Sequence, residues 1–562
     1  MKPFDFDAIV IGSGFGGSVM TCRLAEKGYR VCLLERGRQY GMHEFPRKMQ
    51  DIKTKLLWDP EDHLFGFIEF NTYSKSDAYS VRASGLGGGS LIYANVLFRM
   101  PEDFFDGWPG GINRQILDPY YDKVLETTEA SPYPLNDDNP YYNDTPKTHL
   151  MKLASEKIKP ESYALEPHKF SLPDLTVRFK GDFPGHQSRN KHNALQSSCI
   201  KCGECDIGCN ILAKNSLDLN YIVRAQNEEL MGNGSKAAEV RTEAEVIEIT
   251  PLADKGYEVI YINPKNPDKK MKLTAEKVIL SAGSIGSTGL LLKMKKYKKL
   301  QYLSGMLGEK WCGNGDLEGT IFYADHEGDP NNGPVITCAI EYNKMKPYDD
   351  GFKHGMVVQD AGFPVFMMWF FAGKFFSPFA FIQFIKMLFH IITIPVKRLL
   401  SFLRLYKYKW NVNPGNDIAK MIDGNKFIRK GLVLLAMGRD RNNGRIELNK
   451  EDRPIIKWKM KKSRLHYKRA RKEMKKISKT IGGFFYDNPL TYLNKMIAVH
   501  PLGGCVMAES AKEGVVDTKG EVFGHKGLYV VDASIIPTSI GPNPSMTIAA
   551  MAEYIASQFP EK

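Results

Sequence analysis

The stretch Asp7-Ala8-Ile9-Val10-Ile11-Gly12-Ser13-Gly14-Phe15-Gly16-Gly17 runs on through a helical segment at Leu24 and Ala25 into Val31-Cys32-Leu33-Leu34-Glu35, and its reading decides the fold. The order is strand, glycine turn, helix, strand, acid, which is that of a dinucleotide-binding βαβ unit. Gly12 permits the tight turn, Gly14 lets backbone approach a pyrophosphate, and Gly17 allows the helix to pack closely. The helix N-terminus adds its positive end to the anion site. Glu35, at the end of the second strand, is placed to accept hydrogen bonds from a ribose. This pattern serves FAD and NAD equally, so the choice rests on the rest of the chain.

Moving outward, a second glycine cluster, Gly85-Leu86-Gly87-Gly88-Gly89-Ser90, leads directly into Leu91-Ile92-Tyr93-Ala94-Asn95. Consecutive glycines bring backbone amides close to a flat or charged ligand, and the apolar residues that follow argue against a free loop. Val278 to Ser284 reads as a buried strand entering a small-residue turn at Ala282-Gly283, another place where a nucleotide can lie against backbone. Near the end come His500-Pro501-Leu502-Gly503-Gly504-Cys505, a strand Leu528 to Val531 ending at Asp532-Ala533, and Gly541-Pro542-Asn543-Pro544-Ser545 before an apolar helix. Ser545 is the expected N-cap of that helix.

These segments, in this order, resemble the GMC (glucose-methanol-choline) oxidoreductases, and within them the cholesterol-oxidase-like branch. The resemblance implies an α/β fold, with a Rossmann-like FAD-binding domain and an α+β substrate-binding domain. It implies FAD as cofactor and oxidation of a CH–OH group, with His500 as base and Asn543 orienting the hydroxyl. Cofactor contacts are then expected at Gly12, Gly14, Gly17, Glu35, Gly87, Gly88, Gly89, Ser90 and Asn95. Val246 on the adenine side, Ala282, Gly283, Asp532, Ala533, Asn543, Pro544 and Ser545 complete that set. Imidazole suits the base because it titrates near neutrality without a large shift. In the steroid-oxidising members a glutamate of the substrate domain also moves a ring double bond. The loosely similar strand here offers Gln359, which cannot relay a proton, with Asp360 beside it as the candidate if the register slips by one.

Cys199, Cys202, Cys205 and Cys209 are separated by two, two and three residues, the ligand spacing of bacterial ferredoxins, although Asn210 stands where proline usually follows. A [4Fe-4S] cluster is one reading. A compact turn of packed thiols is the other, and the GMC relatives with a similar stretch followed by Ala-Lys-Asn, here Ala213-Lys214-Asn215, favour it. From Phe363 to Phe389 there are ten Phe and one Trp, interrupted by Lys374, Pro378 and Lys386. That stretch reads as a buried core or a surface lying on a membrane rather than a transmembrane helix.

The formal charge of +13 is concentrated, with twelve Lys or Arg and the single acid Glu473 between Lys457 and Lys479. Leu465, Ala470, Met474, Ile477 and Ile481 recur at helical spacing, so this run is an amphipathic helix with a basic face. An anionic membrane surface is the partner that face would suit, and no nucleic acid is expected. An opening strand without signal-peptide regions, and nine cysteines without a disulfide pattern, point to the cytoplasm, with peripheral attachment at the inner face of the membrane.

The expected FAD domain is discontinuous, 1–100, 190–305 and 490–562, with the substrate domain from 101–189 and 306–489. Asn136–Pro140 and Asp329–Pro334 read as surface loops. The substrate is expected to be a hydrophobic alcohol, a sterol among the candidates, and the electron acceptor is left open. Two other functions fit the residues. One is an FAD/iron–sulfur dehydrogenase passing electrons to a quinone or carrier protein; the other is a peripheral membrane flavoprotein without catalysis.

Overall fold

The computed structural model describes residues 4–48, 51–73, 76–136, 138–362, 399–400, 403 and 429–562. Strand β1 (Phe6–Ile11) turns through Gly12 into helix α1 (Phe15–Glu26), and β2 (Val31–Leu34) returns beside β1 in parallel. Helix α2 (Arg114–Thr128) and the short strand β3 (Lys169–Ser171) follow. Next come β4 (Glu239–Arg241), β5 (Glu245–Pro251), β6 (Tyr257–Asn263), β7 (Asn266–Leu280) and helix α3 (Gly283–Lys296). The remaining elements used below are β8 (Leu317–Phe322), β9 (Ala339–Met345), β10 (His354–Ala361), β11 (Leu432–Gly438), α4 (Arg464–Thr480), β12 (Phe484–Asp487), β13 (Leu528–Val530) and α5 (Ser545–Ser557).

Two sheets organise these elements. The first has the order β4-β2-β1-β7-β6-β5, with β13 also paired to β7. Its β4, β2, β1, β7 and β13 are parallel, while β5 and β6 form an antiparallel extension. Strands β1 and β2 read as unbroken apolar runs because both faces are covered, as parallel sheets require. α1 packs on α5, and α5 on α2. Arg23 of α1 clamps the buried Glu553 of α5 through both carboxylate oxygens, at 2.7 and 2.8 Å, and Tyr221 donates to the same group at 2.8 Å. The second sheet is wholly antiparallel, in the order β12-β8-β11-β10-β9-β3, and α4 packs against it.

α4 begins at Arg464 rather than near Lys457, because Pro454–Lys457 pairs as a strand with Arg445–Leu448. Ala470, Met474, Ile477 and Ile481 are buried as the spacing predicts, and Leu465 is half-buried. Lys461, Lys462, Arg464, Lys468, Lys475 and Lys479 are exposed and unpaired among the described residues, whereas Lys472 pairs with Glu161 at 2.6 Å. The Phe363–Phe389 run lies outside the described residues. Among those described, no helix is long and apolar enough to cross a membrane.

At the carboxyl ends of the parallel strands the backbones close to contact. Gly12 has φ +96°, a left-handed conformation, and Ser281 N donates to Ile11 O at 2.7 Å beside it. A Cβ on Gly17 would stand 1.9 Å from the Gly12 carbonyl oxygen, so the expectation of close helix packing holds. Gly16 is tighter still, its Cβ falling 1.8 Å from Val531 O, just past β13. Since that obstacle is backbone, a side chain must separate α1 from the end of β13. Gly16→Ala should therefore lower stability by about 1–3 kcal/mol or more, read as a fall in thermal midpoint and loss of retained flavin.

Candidate active site

The glycine segments singled out in the sequence converge. Ser13 Oγ donates to Glu35 at 2.7 Å and to Gly85 O at 3.3 Å, and it accepts from Gly87 N at 3.0 Å, tying the first turn to the second loop. Gly88 rests on Gly14, with its Cβ position 2.7 Å from Gly14 Cα. Ser90 Oγ donates to Gly87 O at 2.7 Å and accepts from Leu217 N at 3.0 Å. In front of Gly14 and Gly283 there is nothing within 4 Å of where a Cβ would stand, and Gly89 meets only an edge of Phe15 at 4.0 Å. That is a cradle which side chains would fill, with backbone amides on its walls.

Two buried polar groups border it. Asn95, at φ +69° and fully buried, has no hydrogen-bond partner for either Oδ1 or Nδ2. Asp218 had no sequence signal. Its Oδ1 is unpartnered and lies 3.2 Å from the Gly87 Cβ position, and burial pushes its carboxyl up to about 6. Orphaned polar atoms at a glycine-lined opening are what a polar cofactor would satisfy. Among the expected contacts, Val246 is half-buried on β5 opposite Tyr261, apart from this convergence.

One expectation changes. Ser545 is the first residue of α5 and does not cap it; Pro544 occupies the cap position, and Ser545 Oγ donates to Val96 O at 3.0 Å. Asp532 has both oxygens engaged by protein. Gly283 N and Ser287 Oγ donate to one at 2.9 and 2.5 Å, and Ser534 N and Oγ to the other at 2.8 and 2.6 Å. Its carboxylate thus pins the start of α3 to the end of β13, and Ala533 continues the tie, its carbonyl accepting from Gly503 N at 3.0 Å.

The chemistry gathers around a turn that the sequence reading passed over, Asn314-Gly315-Asp316, just before β8. Asp316 is 2 % exposed. Its Oδ2 accepts from the backbone N–H of Val499 and His500 at 2.8 and 3.0 Å, and its Oδ1 is 2.7 Å from His500 Nδ1. A carboxylate can only accept, so Nδ1 carries the proton and Nε2 keeps the lone pair of a base. Burial above all pushes the Asp440 carboxyl up to about 8, against a hydrogen bond from Gly313 N and with the Asp316 charge adding to the rise. Asn314 Oδ1 accepts from Ile540 N and Gly541 N at 3.0 and 3.1 Å, and its Nδ2 donates to Pro542 O at 2.8 Å. One turn therefore fixes both His500 and the loop that carries Asn543. The only sequence signal was the small-residue run Gly313-Asn314-Gly315 before a strand.

Asn543 Oδ1 accepts from Gln359 Nε2 at 2.7 Å, and Gln359 is fully buried with its Oε1 unpartnered. Neighbouring residues of a strand face opposite ways. Asp360 accordingly points into the other side of the sheet, accepting from Thr337 N, Thr337 Oγ1 and Cys338 N at 2.8, 2.6 and 2.8 Å and pairing with Lys147 at 3.2 Å. Gln359 is therefore the one of the two that meets Asn543, and Asp360 faces away from it.

The sequence profile of the GMC oxidoreductases matches residues 6–294 and 440–552. The chain belongs to the GMC oxidoreductases. A cholesterol oxidase of Acinetobacter baumannii is 28 % identical, covering 100 % of this chain and 95 % of that protein. A long-chain-alcohol oxidase of Arabidopsis thaliana is 22 % identical over 99 % of this chain and 66 % of its own length. Pyridoxine 4-oxidase from Mesorbium loti has the same fold, with TM-score 0.57, 15 % identity and coverage of 98 % and 99 %. As a GMC enzyme the chain is an FAD-dependent oxidoreductase acting on CH–OH donors, and the glycine cradle with its orphaned polar atoms fits that cofactor. FAD supplies the hydride acceptor, at flavin N5.

Asp316 holds the tautomer and orientation of His500. Asp316→Asn should reduce kcat on the order of 10²–10⁴-fold with little change in KM, as loss of a tautomer-fixing carboxylate does. Equal losses in thermal midpoint and flavin content would instead mark Asp316 as structural only.

Proposed function

We propose that this enzyme oxidises a hydrophobic alcohol, a sterol or a long-chain alcohol, with His500 receiving the hydroxyl proton and Asn543 orienting the oxygen. The observation that carries this is the paired restraint on the two groups. Asp316 leaves His500 Nε2 as the base, and Gln359 takes Asn543 Oδ1, so the Asn543 Nδ2–H bonds are left to a substrate oxygen. The hydride leaves the same carbon for the flavin while His500 holds the proton. Relatives that are cholesterol oxidases and long-chain-alcohol oxidases support a lipophilic substrate. The exposed cations of α4 support docking on an anionic membrane surface at the inner face of the membrane, where such alcohols reside.

If the substrate is a sterol with a ring double bond, Gln359 has no carboxylate with which to shift it. The product should then be the unshifted ketone, identified by mass and ultraviolet absorption. A shifted product from wild type would overturn that part of the reading.

Anaerobic addition of a sterol, or of a long primary alcohol, should bleach the flavin of the wild-type protein. His500→Ala should slow that bleaching about 10²–10⁴-fold. Bleaching at the wild-type rate would remove His500 from the chemistry. Binding of both alcohols without bleaching would favour a flavoprotein that holds lipid without turning it over.

A further inference from the structure

The four cysteines converge. Cys199, Cys202, Cys205 and Cys209 line one pocket together with Lys214, Gly333 and Pro334. All four are free thiols. Each sulfur also accepts a backbone N–H. Lys201 N donates to Cys199 at 3.4 Å and Lys214 N to Cys209 at 3.5 Å, while Glu204 N serves Cys202 and Val335 N serves Cys205. The Asp329–Pro334 segment, expected as a surface loop, has Gly333 and Pro334 buried over this pocket, with Gly203 N donating to Gly333 O at 3.0 Å.

Three occupants can be weighed. Close packing of side chains is the ordinary state of an interior, and four thiols facing a common space depart from it. Water needs two to four polar partners, and the walls here are aliphatic carbon and sulfur. A single zinc would draw its ligands to about 2.3 Å from one point. Among the described residues no three His, Cys, Asp or Glu side chains are gathered in that way. An iron–sulfur core is larger and holds its cysteine sulfurs apart around a cube, and backbone N–H bonds to those sulfurs tune its potential.

The surroundings supply a role. Lys214 Nζ donates to Cys205 O at 2.8 Å and also to Leu91 O and Tyr93 O, at 2.9 and 3.2 Å, in the loop that follows the glycine cradle. Asn95, at the end of that loop, touches the Cys205 thiol. On the other wall, Lys147 Nζ donates to Pro334 O and Val335 O, both at 2.6 Å, and pairs with Asp360, the residue next to Gln359. The pocket is thus one loop behind the cofactor cradle and one strand behind Asn543.

We propose that Cys199, Cys202, Cys205 and Cys209 hold a [4Fe-4S] cluster that carries electrons from the flavin to an external one-electron carrier. Occupancy of the site stands on the cysteines alone; the electron source rests on the alcohol-oxidising reading. Oxidation of one alcohol to a carbonyl releases two electrons and two protons. A cluster accepts one electron at a time, so it is reduced and reoxidised twice per turnover, each electron leaving to the carrier. One proton passes through His500 to solvent, and the other leaves with the reoxidation of the cofactor. On assembly, each thiol gives up its proton as a cysteine–iron bond forms.

The test uses the full-length flavoprotein, purified anaerobically and also reconstituted with ferrous iron and sulfide. Expected are about four irons and four sulfides per chain, and broad absorption beneath the flavin bands that dithionite bleaches, with an EPR signal in the reduced state. Cys205→Ser and Cys209→Ser should lower iron to background while flavin bands remain, and Cys32→Ala, a buried thiol of β2, should keep its iron. With alcohol added, Cys205→Ser should still bleach its flavin but fail to reduce a one-electron dye. Reconstituted wild type with no more iron than the variants, one zinc per chain without sulfide, or two disulfides by thiol titration would each overturn the proposal. A cluster present without flavin would leave the cysteine ligation standing but overturn the electron path from the flavin.

Discussion

The Asp316–His500 contact is the constraint on which the site depends, because the turn that makes it also sets everything else that must meet substrate. Asp316 holds His500 through side chain and backbone, and two residues earlier Asn314 grips the backbone of residues 540–542. His500 and Asn543, the two residues proposed for the chemistry, come from two separate C-terminal segments, yet a single turn before β8 references both. Burial pushes the neighbouring Asp440 carboxyl up to about 8, which favours its neutral form beside Asp316. Two ionised carboxylates at that spot would repel, and the weaker bond to His500 would follow.

Legibility in the sequence follows how local the physics is. The βαβ unit was readable because unbroken apolar strands, a left-handed glycine and close-approach glycines are each demanded by neighbours a few residues away, as Gly12 and Gly17 show. His500 and Asn543 were found because their segments resemble those of a family. Asp316 and Asp218 were not, since a buried carboxylate leaves no periodic trace, and its partners lie 184 residues away in the case of Asp316 and His500. The Ser545 cap failed for a similar reason. The Val96 carbonyl, far away in sequence, offers its hydroxyl a partner that a local reading cannot see. Residue type left Gln359 and Asp360 as two candidates, and strand alternation sends only Gln359 toward Asn543.

That alternation also divides the molecule by task. On one face of β10, Gln359 holds Asn543. On the opposite face, Asp360 and Lys147 form a wholly buried pair whose lysine also anchors the Pro334–Val335 backbone over the cysteine pocket. Breaking such a pair by removing one partner leaves an uncompensated charge and costs about 3–5 kcal/mol. A pair this costly to disturb makes β10 a stiff partition rather than an adjustable wall.

Stiffness there has a chemical use. Proton transfer and hydride transfer need the substrate oxygen and carbon positioned within tenths of an ångström, whereas electron transfer tolerates distance but needs the two redox groups to stay at a fixed one. A strand with the Gln359–Asn543 pair on one face and the Asp360–Lys147 pair on the other would serve the proposed oxidation and the proposed electron path together. The glycine loop serves the same end from the other direction. Its amides face the cofactor cradle, and the carbonyls of Leu91 and Tyr93, at its far end, are held by Lys214 beside the sulfurs. The same few residues that fix the cofactor would therefore also fix its separation from whatever the cysteines bind.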